Sequence, residues 1–167
     1  EVLSAITALN LVAANDNGAG QIVAAGDLAA LAQLSDNAPA SARVRALAVA
    51  GAFHTSYMQP AVEPLRVKAA TLQINPVQID VISNKDGAVV KDGAELLTRI
   101  VNQIANPVRW DLCMATLHSM GVTGVIELPP AGTLVGLIKR AAGQIESFAL
   151  KSADDLSAAR DFAERHK

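Results

Sequence analysis

The chain has 167 residues, enough for one ordinary domain or for a piece of a larger one. Hydrophobic residues make up 51% of it and aromatic residues 3%, which predicts a folded core of small aliphatic side chains and excludes a disordered chain. The net charge of −2 gives no indication of a nucleic-acid-binding face. One cysteine, Cys113, excludes an internal disulfide and favours a reducing, cytoplasmic location. Polar residues and prolines interrupt the apolar stretches, so no membrane span is predicted.

The first predicted element is a helix, because Val2, Leu3, Ile6 and Leu9 recur at helical spacing. The chain nevertheless begins at Glu1 with no initiator Met and no N-cap ahead of this helix. We therefore expect that a further segment precedes it.

The elements that follow, up to residue 49, are predicted as strand, strand, helix and strand. They are Leu11–Asn15, Gln21–Ala25, a helix that Asp27 caps and that ends at Leu34, and Arg43–Val49. With one strand added before the first helix, the order becomes βαββαβ, which is the ferredoxin-like pattern.

Beyond residue 50, predicted strands and helices alternate, which is typical of an α/β layer with parallel pairing. The predicted strands are Gln78–Ser83, Val122–Leu128 and Ile145–Leu150. The predicted helices are Tyr57–Leu72, Gly93–Ile104, Val108–Met120, Thr133–Ala142 and a last one that Ser152 caps.

His54 is the histidine that stands out as a candidate for chemistry. It lies in the segment GAFHTSYM, between a predicted strand end and a helix, where ligand sites form in open α/β sheets. Imidazole is also the side chain best suited to move a proton near neutral pH. The alternative is a loop histidine whose ring is satisfied by backbone carbonyls. We expect the other two, His118 and His166, to face solvent.

The chain itself offers no nucleophile for this histidine. It contains no Gly-x-Ser-x-Gly elbow, and Ser56 is too close to His54 to replace the elbow serine. Cys113 is expected in a helix core, and no residues show metal-ligand spacing, so no metal site is predicted. Asn15 and Asn17, within NDNGAGQ, either help to cradle an anion or form a hairpin turn.

Five segments of the chain together resemble bacterial malonyl-CoA:acyl carrier protein transacylases. They are NDNGAGQIVAAG (15–26), VAGAFHTSYMQPA (49–61), VISNKDG (81–87), QIANPVRW (103–110) and IELPPAGTLVGLIKR (126–140). The resemblance covers essentially the whole chain and matches the C-terminal half or more of the family. It implies an α/β fold in which residues 1–49 form an incomplete ferredoxin-like small subdomain. Residues 50–167 would then belong to an α/β-hydrolase-like large subdomain.

The family transfers a malonyl group from coenzyme A to a serine, and then to the phosphopantetheine thiol of acyl carrier protein. The resemblance implies that His54 is the catalytic histidine, and that the backbone carbonyl of Gln103 holds its other ring nitrogen. It also implies that Asn17, with Asn15, lines the cleft between the subdomains. Phe53 either excludes an α-methyl branch of the substrate or packs under the loop. No cofactor is implied beyond the substrate and the phosphopantetheine of the partner.

The family's serine elbow, its malonyl-binding arginine and its oxyanion-hole loop all lie upstream of the position that Glu1 matches. We therefore expect the isolated chain to be inactive. Two alternatives remain: the acyltransferase domain of a polyketide synthase, and a non-catalytic fragment that binds acyl carrier protein. In the second case the acidic partner would dock on a basic edge formed by Arg43, Arg45, Lys139 and Arg140.

Overall fold

The computed structural model describes residues 1–167. The elements of the first third are α1 (Val2–Ala8), β1 (Val12–Asp16), β2 (Ile22–Ala25) and α2 (Leu28–Asp36). All four match the predicted elements to within two residues. Asp27 caps α2 as expected, because its Oδ1 accepts from the amides of Ala29 and Ala30 at 2.9 and 3.1 Å.

The remaining elements are helices, 3₁₀ turns and short strands. They are a 3₁₀ turn (Ser56–Met58), α3 (Gln59–Ala69), β3 (Val81–Ile82), β4 (Val89–Val90), α4 (Gly93–Gln103), β5 (Val108–Arg109), α5 (Trp110–Ser119), β6 (Gly124–Glu127), α6 (Thr133–Ala141), β7 (Glu146–Ala149), a second 3₁₀ turn (Ala153–Asp155) and α7 (Leu156–Arg165). Ser152 caps the last helical segment with a reciprocal capping box, as predicted. No helix is both long enough and apolar enough to cross a bilayer.

The strands form three small sheets in the orders β2–β1–β5, β3–β4 and β6–β7. The pairs β6–β7 and β1–β5 are parallel, which confirms the α/β class with parallel pairing. Asn15 lies opposite Val108 in the β1–β5 pair, so the segment before residue 50 and the segment after it share one sheet. The division of the chain at residues 49 and 50 stays a prediction.

One predicted element is wrong, and another begins two residues later than predicted. Residues 43–49 alternate basic and apolar side chains as a strand does, yet no neighbouring strand pairs with them. Their backbone forms one local hydrogen bond, from Val49 N to Leu47 O at 3.1 Å, and every residue from 43 to 49 is exposed. The helix predicted from Val108 begins instead at Trp110, because Val108 and Arg109 pair with β1.

The buried hydrophobic residues form three small clusters rather than one core. They are Ile6, Leu11 and Leu34 around α1 and α2; Val62, Ala69, Val101 and Ala105 between α3 and α4; and Met114, Ile138, Ala142 and Ile145 between α5 and α6. The accessible surface is 10731 Å² for a mass of 17.3 kDa. A folded monomer of this mass exposes about 7,800 Å². The chain therefore carries far more uncovered surface than a complete domain of its size.

Gly87 is a position where the fold excludes a side chain. It closes the predicted Lys85–Gly87 turn at φ +71°, and a Cβ there would lie 2.7 Å from the carbonyl carbon and oxygen of Leu112. We expect Gly87→Ala to lower the free energy of unfolding by about 2 kcal/mol, because left-handed strain and overpacking add.

Urea unfolding measures this effect, with Gly136→Ala in α6 as the matched control. A Cβ at Gly136 meets nothing within 4 Å, so the control is expected to gain about 0.5 kcal/mol. Equal stabilities of the two variants would contradict the prediction.

Candidate active site

His54 is held at the C-terminal end of α4 by two hydrogen bonds. Its Nδ1 lies 2.8 Å from the backbone oxygen of Gln103, and its main-chain N–H donates to Ile104 O at 2.9 Å. Because a carbonyl oxygen can only accept, Nδ1 carries the ring proton. The other ring nitrogen, Nε2, then keeps its lone pair and is able to accept a proton.

The loop that carries His54 is fixed by its neighbour Thr55, which is only 1% exposed. Thr55 Oγ1 donates to Ala52 O at 2.6 Å and accepts from Tyr57 N at 3.3 Å, so it caps the 3₁₀ turn. His54 itself adopts the left-handed region at φ +65°. The sequence reasoning missed Thr55, although a threonine directly before a helical turn is a recognisable N-cap.

Gln103 is buried at 7% exposure and is the last residue of α4. Its side-chain Nε2 donates to Asn106 O at 2.8 Å and to Pro107 O at 2.9 Å. The other end of α4 is capped by Asp92, whose Oδ1 accepts from Glu95 N at 2.7 Å. Both ends of the helix that presents the carbonyl to His54 are thus fixed.

The asparagine-rich segment forms a hairpin turn between β1 and β2. Asn17 N donates to Gln21 O at 2.9 Å, and Asp16 Oδ1 accepts from Gly18 N at 3.0 Å. The carboxyl end of β1, with Asn15, lies beside β5, which follows the Gln103 turn. Asn17 is half-buried and forms no hydrogen bond with His54, so its binding role stays a prediction.

Phe53 is 46% exposed, and its ring lies alongside Gly51. The ring therefore does not pack under the loop as a core residue. Phe53 directly precedes His54 in the chain, and its role in substrate choice stays a prediction.

Arg109 and Asp111 form an ion pair at the junction of β5 and α5. Arg109 Nε and Nη2 donate to the two oxygens of Asp111 at 2.9 and 2.6 Å, and this pairing holds the pKa of Asp111 below its usual range. The sequence analysis did not identify this pair, although opposite charges two residues apart at a strand–helix junction were a visible signal. No group of three or more His, Cys, Asp or Glu side chains is placed to hold a metal ion.

Cys113 is a core residue, as expected. It is 2% exposed, and burial raises the pKa of its thiol to about 11. A thiol in this environment stays protonated and is not a nucleophile for His54.

Of the predictions for the other two histidines, one is confirmed and one is wrong. His118 is exposed, as predicted. The prediction for His166 is wrong, because its side chain is only 13% exposed, with Nδ1 2.9 Å from Thr123 Oγ1 and Nε2 3.3 Å from Glu146 Oε2. Gly124 leaves room for the ring, since a Cβ there would lie 2.5 Å from it.

The four basic residues predicted to form one edge come from two separate parts of the chain. Arg43 and Arg45 lie in the exposed segment of residues 43–49, while Lys139 and Arg140 lie in the last turn of α6. Arg140 Nη1 donates to Gln21 Oε1 at 3.0 Å, which ties α6 to the asparagine-rich hairpin. All four are exposed, and a docking role for them stays a prediction.

Comparison with known proteins yields one consistent set of relatives, although no family model matches the chain. The chain is 49% identical over 156 residues to the malonyl CoA-acyl carrier protein transacylase of Mycobacterium tuberculosis, covering 93% of this chain and 52% of that protein. A crystal structure of MCAT from the same organism has a TM-score of 0.89 at 48% identity, over 94% of this chain and 52% of that one. A solved complex of a malonyl-transacylase with a type II PKS acyl-carrier protein has a TM-score of 0.85 at 27% identity, over 95% of this chain and 53% of the matched one.

The α/β fold of the chain therefore matches that of solved malonyl transacylases. The chain spans about half the length of the curated relatives it matches. Over nearly all of its own length, it is homologous to the malonyl CoA-acyl carrier protein transacylases.

Proposed function

We propose that the protein containing this chain transfers a malonyl group from coenzyme A to the phosphopantetheine thiol of acyl carrier protein, through a seryl-malonyl intermediate. The observation that carries the proposal is the pairing of His54 Nδ1 with Gln103 O at 2.8 Å. This pairing leaves Nε2 free to accept a proton, in a chain homologous to malonyl transacylases.

The chemistry follows from the position of the proton on the imidazole. Nε2 of His54 takes the proton of a serine hydroxyl supplied from outside these residues, and the serine oxygen bonds to the malonyl carbonyl carbon. The bond from that carbon to the coenzyme A sulfur breaks, and the proton leaves with the thiol. In the second half, His54 takes the proton of the carrier thiol, whose sulfur bonds to the malonyl carbonyl carbon. The bond from that carbon to the serine oxygen breaks, and the proton passes from His54 to the serine. The Gln103 carbonyl orients the ring without placing a negative charge beside an anionic substrate.

The substrate would occupy the side of the site where Phe53 and the asparagine-rich hairpin lie. Phe53 is exposed and directly precedes His54 in the chain, and its ring would exclude an α-methyl branch; one such methyl is worth about 1–3 kcal/mol. Asn17, in the hairpin at the end of β1, would line the cleft between a ferredoxin-like small subdomain and an α/β-hydrolase-like large one. The solved complex of a related transacylase with its carrier protein supports acyl carrier protein as the partner.

The rest of the enzyme would cover the surface that this chain leaves open. The exposed area exceeds that of a complete domain by about 2,900 Å², well above the roughly 800 Å² that each partner contributes to an interface of standard size. Part of it is an open groove of about 430 Å³ between α4 and residues 73–81. Its apolar lining includes Ile74, Ile79 and Ile100, each of which is exposed.

A transfer assay with malonyl-CoA and phosphopantetheinylated acyl carrier protein tests the proposal. The natural protein is expected to load the carrier, whereas the isolated 167-residue chain is expected to show no transfer, because it lacks a serine nucleophile and oxyanion donors. Malonyl-carrier formation is followed by intact mass, with methylmalonyl-CoA as the competing donor.

Three results would count against this view. A natural protein that loads no malonyl group would refute the proposed activity. Transfer by the isolated chain at the rate of the natural protein would refute the need for a separate nucleophile. Ketosynthase or carrier domains flanking the chain in the natural protein would favour the acyltransferase domain of a polyketide synthase instead.

A further inference from the structure

We propose that the side-chain amide of Gln103 is a positioning group that fixes the direction of the carbonyl holding His54. This inference rests on the proposed function and assigns to the side chain a role separate from that of the backbone oxygen. The geometry at the end of α4 carries it.

The last carbonyls of a helix have no partner within the helix, and here His54 supplies partners for two of them. Gln103 O accepts from His54 Nδ1 at 2.8 Å, and Ile104 O accepts from His54 N at 2.9 Å. The chain must therefore leave α4 in a way that turns both oxygens toward the loop of residues 51–55. Solvent would otherwise compete for these carbonyls.

The side-chain amide of Gln103 fixes the path by which the chain leaves α4. A primary amide has two N–H donors, and the Nε2 donors of Gln103 go to Asn106 O at 2.8 Å and Pro107 O at 2.9 Å. Asn106 N also donates back to Gln103 O at 3.2 Å. Asn106 thus accepts a hydrogen bond from the side chain of Gln103 and donates one to its backbone oxygen. That oxygen is also the one that accepts from the His54 imidazole.

The consequence for His54 is control over which ring nitrogen carries the proton. If Gln103 O turned away, the Nδ1 proton would lose its acceptor, and the neutral ring would populate both tautomers. In the tautomer with the proton on Nε2, that nitrogen has no lone pair with which to accept from a serine or a thiol. Gln103 is 7% exposed, and its side chain acts through His54 rather than on the substrate. Removing its amide is therefore expected to lower kcat rather than to weaken substrate binding.

The test replaces Gln103 with Met in the natural protein. Met keeps the length of the side chain and the backbone carbonyl but removes both donors. The control is Asn102→Leu, which removes the side-chain amide of the preceding residue in α4. Asn106 Nδ2 donates to the backbone carbonyl of Asn102 at 2.7 Å, so this variant keeps that hydrogen bond.

Two measurements are made on each variant. Gln103→Met is expected to lower kcat for malonyl transfer on the order of 10- to 100-fold, while KM for malonyl-CoA stays within about twofold. Nitrogen-15 NMR of the His54 ring is expected to show the Nδ1–H tautomer in the wild type and in Asn102→Leu. In Gln103→Met it is expected to show a mixture of tautomers.

A folded Gln103→Met protein with the wild-type tautomer and kcat would overturn the proposal, and so would an equal loss in Asn102→Leu. If Gln103→Met does not fold, Gln103→Asn decides by the same two readouts, because its shorter amide cannot reach both carbonyls. If the wild type transfers no malonyl group, the proposed function fails. The tautomer measurement still tests the positioning role in that case.

Discussion

His54→Asn in the natural protein is expected to lower kcat for malonyl transfer by about 10²- to 10⁴-fold, the usual contribution of a positioned general base. Asn is the informative replacement, because residue 54 has φ +65° and Asn tolerates the left-handed region better than other residues without an imidazole, glycine aside. The variant therefore removes the proton acceptor with little added strain. The loss is expected in both half-reactions, since the same Nε2 serves the serine and the carrier thiol.

The measurement is the steady-state rate of carrier loading, with His118→Asn as the matched control. His118 is exposed on α5, and its ring takes no part in the site, so the control should retain wild-type kcat. Urea unfolding of both variants separates a loss of chemistry from a loss of fold. A His54→Asn rate within about threefold of the wild type would show that another group is the base.

Glu127→Ala is expected to have the largest effect on stability. Glu127 is 9% exposed at the end of β6, and its carboxylate accepts from the backbone N–H of Gly132 and Leu134, each at 2.9 Å, and of Val135 at 3.0 Å. These groups form the N-terminus of α6, which has no side-chain cap of its own. Removing the carboxylate takes the partner from three N–H groups at once, one of them on the buried Val135, at a cost of about 3 kcal/mol.

The stability contributed by Glu127 is also expected to depend on pH. Desolvation raises the pKa of this carboxyl, but the backbone donors outweigh it and leave the pKa below its ordinary value of 4.5. A group whose pKa is lowered by folding stabilises the protein fully above its unfolded pKa. That stabilisation is lost as the pH falls through the folded pKa. Glu127→Gln should therefore lose less stability than the wild type on acidification below pH 4.5.

Urea unfolding at neutral pH and at about pH 4 measures both effects, with Glu63→Ala as control. Glu63 is exposed on α3, where it pairs with Arg66, so its loss should change the free energy of unfolding by less than about 0.5 kcal/mol. If Glu127→Ala were as stable as this control, the carboxylate would not stabilise the N-terminus of α6.

Elements with local causes were predicted well from the sequence. The helix capped by Asp27 and the last helix capped by Ser152 appear as expected, because a cap and its amides lie within three residues of each other. Cys113 was predicted as a core residue from its apolar neighbours along one helix. His54 was singled out by residue type and loop position, and its pairing with Gln103 came from the family resemblance.

Features that depend on distant residues were missed or predicted wrongly. Residues 43–49 have a strand pattern, but a strand also needs a neighbour to pair with, and none lies beside them. His166 is covered because Thr123 and Glu146, 43 and 20 residues away, meet it at the end of α7. Glu127 has its partners nearer, at Gly132, Leu134 and Val135, but they lie beyond a turn, and only the packing of α6 on β6 brings their N–H groups to its carboxylate.

The sequence by itself determined the α/β class, most helices and strands, and the histidine worth testing, because periodicity, caps and turn residues act over a few positions. Only the tertiary structure decided where the proton of that histidine resides. His54 and Gln103 are 49 residues apart, and their hydrogen bond exists because α4 ends against the loop that Thr55 anchors. Closing such a contact depends on the packing of both segments, and no local pattern in the chain encodes it.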